Sequence, residues 1–229
     1  MEIKQWIYIF LLLGFLLIPL TTDLKRKNLF YPNLKYLLPA ILFTGAIFIL
    51  WDIRFTETGI WNFNPEFLSR ITILNLPAEE WLFFLAIPGF SVFIYEYVKI
   101  KFQHFEKNNF FVAVSLVLLV VFGLLAWFSR QQLYPFFTFF LLTVYFGYTI
   151  FRNRFKQHLT QFYLALTISV IPFFILRIII TSLPVISFNT GHTTGVLILN
   201  MPVEDFGYFF LLFLMNVTIY EYLKERRYY

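Results

Sequence analysis

The sequence predicts an all-α integral membrane protein with seven transmembrane helices. Three observations predict it. Mean hydropathy is +0.72, with 59% of residues hydrophobic and 14% charged, whereas soluble domains run at about half apolar and about a quarter charged. Seven long apolar runs divide the 229 residues, each near the roughly 20 residues that a bilayer core requires. The basic residues also fall unevenly between the connections that separate those runs. Such a chain cannot cover a water-facing surface, which excludes a soluble enzyme, a secreted disulfide scaffold and a disordered chain. It has no cysteine, hence no disulfide, thiolate metal site or iron–sulfur cluster.

The runs are 6–20, 36–53, 81–98, 110–128, 134–151, 162–183 and 206–222. Backbone polar groups cannot stay unpaired in lipid, so each is expected to be a helix. The first is slightly short. It follows Met-Glu-Ile-Lys and precedes no small-residue cleavage site, and reads as a retained span rather than a signal peptide. Alternate connections carry the positive charge: Lys25, Arg26, Lys27 and Lys35 after the first run, Lys99, Lys101 and Lys107 after the third, Arg152, Arg154 and Lys156 after the fifth, and Lys224, Arg226 and Arg227 in the tail. Lys4, Arg54, Arg70 and Arg130 fall on the other side. Basic residues collect in the cytoplasm, which predicts the cell membrane, with the N-terminus outside and the C-terminus cytoplasmic. Two long connections, 54–80 and 184–205, then lie outside. Long ordered loops are usually functional. Within them Ile71-Thr72-Ile73-Leu74 and Val196-Leu197-Ile198-Leu199 are expected to form short strands or to lie flat at the interface.

The chain repeats itself. Phe63-Asn64 returns as Phe188-Asn189. Ile73-Leu74-Asn75-Leu76-Pro77-Ala78-Glu79-Glu80 returns as Ile198-Leu199-Asn200-Met201-Pro202-Val203-Glu204-Asp205, and Tyr95-Glu96-Tyr97 as Tyr220-Glu221-Tyr222. The offset is 125 throughout, and 13 of the 35 positions from 63 to 97 are identical. Shared greasiness does not match Asn, Pro, Glu and Tyr in register. The expected organisation is a first three-helix repeat (1–105), a linking fourth helix (106–130) and a second repeat (131–229). The extra span makes the repeats parallel, related by a pseudo-two-fold axis along the membrane normal, with a site at their interface.

Both acidic motifs then enter the membrane from one side. Proline suits the start of a helix and acids suit its first turn, so Pro77 and Pro202 could serve helix initiation alone. Yet Glu79, Glu80, Glu204 and Asp205 place four carboxyl groups at membrane depth, where ionisable groups are costly and mark function. Crowded carboxyl groups divide roles, one holding a proton and another accepting one, which is the equipment for proton transfer without redox chemistry. Asn75 and Asn200 are expected to cap the helices or orient a carboxyl. Asp52 and Arg177 occupy equivalent positions in the repeats. An ion pair between them is the first expectation, with Arg177 orienting a motif carboxylate as the alternative. Glu96 and Glu221 lie 17 residues beyond Glu79 and Glu204, roughly 25 Å along a helix, and are expected to pair with the basic connections. Trp51, Trp61 and Trp81 are read as an aromatic belt, while some rings could instead stabilise a cation.

Other chemistries lack their parts. No Gly-x-Gly-x-x-Gly follows a strand. His104, His158 and His192 are scattered, read as ordinary loop residues, and form no histidine box. No lysine lies in the seventh run to carry a retinal Schiff base. No metal or cofactor is expected, and nucleic acid is not an expected partner.

Pro77-Ala78-Glu79-Glu80-Trp81 and Pro202-Val203-Glu204-Asp205-Phe206 resemble the duplicated Pro-x-Glu-(Glu/Asp) motif of the membrane lycopene cyclases of the non-flavin type. Gly59-Ile60-Trp61-Asn62-Phe63-Asn64 and both Tyr-Glu-Tyr stretches also fit. The chain is similar to the fused form of the two-subunit bacterial type, and to the cyclase part of the fungal bifunctional enzymes. The resemblance covers essentially the whole chain. It implies cyclisation of the ψ-ends of lycopene to β-rings by an intramolecular lyase, without net redox change. It also implies catalytic roles for Glu79, Glu80, Glu204 and Asp205, of which Glu79 and Glu204 are the leading candidates. Asn75, Asn200, Pro77, Pro202, Trp81, Phe206, Arg177 and Asp52 are supporting candidates. The substrate is expected to come from the lipid phase, with membrane lipids, other carotenoid-pathway enzymes or further copies of the chain as candidate partners. Two rival readings are a transporter of 3+1+3 layout and a non-catalytic subunit of a carotenoid complex. Sugar transporters of that layout carry Pro-Gln turns, which this chain lacks; the two acidic motifs speak against the subunit.

Overall fold

The computed structural model describes residues 3–26, 31–152 and 154–226. Lys27 and Arg227 of the basic set lie outside them. Among the described residues seven helices are long and apolar enough to cross a membrane: α1 (Ile7–Arg26), α2 (Leu34–Glu57), α3 (Ala78–Lys101), α4 (Asn108–Phe128), α5 (Leu133–Phe151), α6 (Leu159–Ser182) and α7 (Glu204–Glu225). Each matches one of the apolar runs. Most extend past the run by a turn or so at one end or both, because polar and charged residues continue a helix where the apolar stretch stops.

The two long connections contain short strands, the first of the two conformations expected of 71–74 and 196–199. These are β1 (Trp61–Phe63), β2 (Thr72–Ile73), β3 (Leu76–Pro77), β4 (Ile186–Phe188), β5 (Leu197–Ile198) and β6 (Met201–Pro202). β2 and β3 form one hairpin, and β5 and β6 another. Their two-residue turns are Leu74-Asn75 and Leu199-Asn200, all four residues at positive φ (51°, 64°, 48° and 66°). That left-handed pair closes a hairpin compatibly with strand twist, and Asn tolerates it better than most residues. Asn75 and Asn200 are therefore turn residues exposed at hairpin tips. They do not cap helices: Pro77 stands at the N-cap of α3 and Val203 at that of α7, neither with a side-chain cap bond.

β1 and β4 join the two long connections. They pair antiparallel, with Trp61 opposite Phe188, Asn62 opposite Ser187 and Phe63 opposite Ile186. Alternate residues of a strand face opposite sides. Trp61 and Ile186 are buried, while Asn62 and Ser187 are exposed.

α3 and α7 are the most buried helices. α3 packs on α1, α2 and α6, and α7 on α5 and α2. Gly207, two residues after the second acidic motif, permits the approach of α7 to α5. A Cβ there would lie 2.9 Å from Phe139 Cε1 and 3.0 Å from Thr138 Cγ2. Small residues serve this purpose between membrane helices. α4 is among the least buried helices and packs mainly on α5.

Candidate active site

The motif acids occupy the first turns of α3 and α7. Neighbouring positions on a helix point about 100° apart, so the two acids of each motif face different surroundings. Glu79 and Glu204 turn back toward their own loops. The backbone N–H of Ser69 donates to Glu79 Oε1 at 2.7 Å, and that of Thr194 to Glu204 Oε1 at 2.5 Å. The other oxygen of each is buried and has no hydrogen-bond partner among the described residues.

Glu80 and Asp205 face the interior. The Tyr8 hydroxyl of α1 donates to Glu80 Oε1 at 2.9 Å, and the Tyr134 hydroxyl of α5 donates to Asp205 Oδ1 at 2.5 Å. Arg177 of α6 grips the second Asp205 oxygen through Nε at 2.6 Å and Nη2 at 2.5 Å. The expected pairing of Arg177 with Asp52 is thus corrected: the guanidinium goes to the motif, the alternative of the two readings. Asp52 instead accepts the Tyr208 hydroxyl at 2.9 Å. Asp52, Glu80, Tyr134, Arg177 and Tyr208 line one small cavity of about 20 Å³, closed by Trp61, Phe63 and Ile186 of the β1–β4 pair and by Phe83. All six of Asp52, Glu79, Glu80, Arg177, Glu204 and Asp205 are buried.

Aromatic rings surround this chamber. Trp61 and Tyr134 meet edge to face at 5.3 Å, and Tyr134 stacks on Phe188. Phe48 and Trp51 pack on Tyr208 at 4.9 and 5.3 Å. Trp61 and Trp51 therefore belong to the chamber and its backing rather than to a belt. Trp81 does lie nearer the surface, its Nε1 donating to Ile73 O of the hairpin at 3.3 Å, and Phe206 is partly exposed. Pro77 and Pro202 are buried in β3 and β6. Sequence reasoning missed Tyr8, Tyr134 and Tyr208, the hydroxyl donors to Glu80, Asp205 and Asp52. Their partners lie 72, 71 and 156 residues away, so no local pattern announces them.

At the opposite ends of α3 and α7, Lys99 reaches Glu221 at 2.6 Å and Lys224 reaches Glu96 at 2.9 Å. The expected ion pairing of Glu96 and Glu221 is present, crossing between the two helices. His158 is not an ordinary loop residue: it stands at the N-cap of α6, 3.0 Å from Glu225 and 3.8 Å from Glu221. These three could offer ligand atoms within 4.8 Å of one another. Protein donors already engage both carboxylates, through Lys99 and Gln157.

A family model described as lycopene cyclase matches residues 5–98 and 131–223. The chain belongs to the lycopene cyclase family. No curated protein and no solved structure matches the chain. Membership implies an enzyme that cyclises lycopene, a carotenoid carried in the membrane that these seven helices are suited to span. The two matched stretches contain α1–α3 and α5–α7 apart from their last few residues, and omit α4. Every residue of the buried chamber lies within them.

Proposed function

We propose that the chain converts the linear ψ-ends of lycopene to β-rings, through γ-carotene to β-carotene, in the chamber between α2, α3, α5, α6 and α7. The observation that carries this reading is the buried meeting of Glu80, Asp52 and the Arg177–Asp205 pair within a wall of aromatic rings. Proton-driven cyclisation needs an acid, a base, a dry site and a surface that tolerates positive charge. A carboxyl adds H⁺ to the terminal double bond of the ψ-end, leaving a tertiary carbocation. The next double bond along attacks that carbon, closing a six-membered ring and moving the charge onto it. A carboxylate then removes an adjacent ring proton and the ring double bond remains. One proton enters and one leaves, so the substrate is isomerised with no redox change.

Glu80 and Asp52 give and take that proton. Arg177 balances one carboxylate, Asp205, and a guanidinium held by two contacts to one oxygen is a fixed cation. The remaining carboxyl groups have proton transfer as their means of adjusting charge in an apolar interior. Trp61, Tyr134 and Tyr208 face the same cavity and present rings to the developing cation, an attraction of about 2 kcal/mol when desolvated. Glu79 and Glu204 hold their loops in place through Ser69 and Thr194 and act as positioning residues.

The two three-helix units are read as parallel repeats about an axis through the β1–β4 pair, where the equivalent residues Asn62 and Ser187 face each other. The N-terminus is read as outside and the C-terminus as cytoplasmic. The cavity has room for about one water molecule, so a ψ-end enters by displacing aromatic side chains, from the lipid phase. One chamber serves both ends of lycopene, which are processed in turn. A time course of pigments in lycopene-loaded membranes tests this. Single-ring γ-carotene is expected to rise and fall before β-carotene accumulates; β-carotene formed from the first time points with no single-ring intermediate would contradict it.

A further inference from the structure

Far from the chamber, the basic ends of the helices carry two adjoining cavities that cyclisation does not use. The larger, about 1030 Å³, opens between the start of α4, the start of α6 and the end of α7. Four cations face it: Lys107, Arg154, Lys156 and Arg226. Among the described residues none of the four pairs with a carboxylate. Of the two carboxylates on its wall, Glu106 and Glu225, the second is held by Gln157 at 2.6 Å and His158 at 3.0 Å. Four cations against two carboxylates make the cavity a concave surface with net positive charge.

The smaller cavity, about 350 Å³, shares Arg154, Tyr222 and Glu225 with the first and continues between α5 and α7. Arg152, His158 and the Lys99-paired Glu221 also line it, and it reaches Tyr145 and Thr218, whose hydroxyls bond to each other at 2.6 Å. Those two residues lie roughly 10 Å inside the ends of their helices. The surface beside it is apolar and exposed: Phe151 is 77% accessible and Tyr148 56%, as befits side chains that face lipid. A cationic bowl at the boundary thus leads into a tyrosine-lined trough that descends along two membrane-spanning helices.

We propose that these cavities bind the phosphate of an anionic membrane lipid, with its glycerol and the start of an acyl chain in the trough. Arginine presents a planar fork that matches phosphate oxygens, and lysine adds point charge. Basic pockets between membrane helices take anionic headgroups for this reason. Phosphate also relieves the mutual repulsion of four clustered cations. The trough selects a lipid over a soluble phosphate, because a small phosphate leaves it unfilled.

The test uses the purified full chain in neutral detergent, titrated with short-chain phosphatidylglycerol, short-chain phosphatidylcholine or glycerol 3-phosphate. Binding is read by native mass spectrometry and by the shift in Tm. Phosphatidylglycerol is expected to bind and to raise Tm. Arg154→Gln with Lys156→Gln is expected to weaken that binding about ten-fold, or about 1.4 kcal/mol. A second pair, Lys107→Gln with Arg226→Gln, is expected to do the same. Arg54→Gln with Arg130→Gln, exposed at the other end of the bundle, is expected to leave binding unchanged. Phosphatidylcholine binding as tightly as phosphatidylglycerol, or both basic-end variants binding like the parent, would overturn the proposal. Glycerol 3-phosphate binding as tightly as the lipid would overturn the lipid assignment and leave a soluble phosphate site.

Discussion

Arg177 gives the two acidic motifs different work. Its counterpart 125 residues earlier is Asp52, so opposite charges stand at equivalent positions of the sequence and both line one chamber. Arg177 commits Asp205 to an ion pair and leaves Glu80 with the Tyr8 hydroxyl. Removing one partner of a buried pair strands the other charge, at about 3–5 kcal/mol. Arg177→Gln is therefore expected to lower thermal stability in detergent sharply. Adding Asp205→Asn should restore most of it; a double variant no more stable than Arg177→Gln would show that the pair is not what the loss reports. With Glu80 as the proposed proton carrier, Glu80→Gln is expected to cost at least ~100-fold in initial rate. Glu79→Gln keeps an oxygen to accept the Ser69 N–H and should retain measurable activity, whereas Glu79→Ala loses the loop tether as well. Equal inactivity of Glu79→Gln and Glu80→Gln, with both proteins folded, would refute this division of labour. The motif acids were legible in the sequence as a set. Their separate directions were not, because a turn of 100° per residue acquires meaning only once the neighbours are known.

The hairpins and the α5–α7 contact show which local features could be read. The apolar runs 71–74 and 196–199 fitted either short strands or segments lying flat at the interface, and each supplies one strand of a short hairpin. Asn75 and Asn200 carried the signal for the turn but were open to a capping reading, since Asn before an acidic helix start fits both. The left-handed backbone decides between them. Asn75→Ala is expected to cost about 1 kcal/mol, and Asn75→Gly close to nothing, because Asn tolerates that left-handed φ through its polar side chain, Gly bears no Cβ penalty there and Ala has neither advantage. Thermal unfolding of the two variants side by side measures this. Gly207 faces α5 with no room for a methyl group. Gly207→Ala is expected to destabilise by roughly 1–3 kcal/mol through overpacking and, by shifting the first turn of α7, to slow cyclisation; a variant with parental stability would mean that α5 yields instead. The glycine was visible in the sequence, but its neighbour across the interface was not.

Besides the packing of α3 on α6 and of α2 on α7, the β1–β4 pair beside the chamber and the crossed ion pairs Lys99–Glu221 and Lys224–Glu96 at the other end tie α1–α3 to α5–α7. The ion pairs are reciprocal, since 96 and 221, like 99 and 224, are equivalent positions. Lys99→Glu is expected to destabilise the chain by placing two carboxylates together, and Lys99→Glu with Glu221→Lys to recover stability, as read by Tm. The seven spans, the offset of 125 and the acidic end of the bundle followed from hydropathy and repetition. The pairing of β1 with β4 did not, because strands of three residues separated by more than a hundred positions leave no periodic signal. That pairing closes the chamber, Tyr134 of α5 and Tyr208 of α7 line it, and Tyr8 of α1 holds its Glu80. The most direct test of the account is pigment chromatography on a lycopene-accumulating bacterial host expressing this chain alone, beside the same host expressing Glu80→Gln at equal membrane levels. γ-Carotene and β-carotene are expected from the parent chain and unchanged lycopene from the variant. Cyclised product from Glu80→Gln at the parental rate would contradict the account.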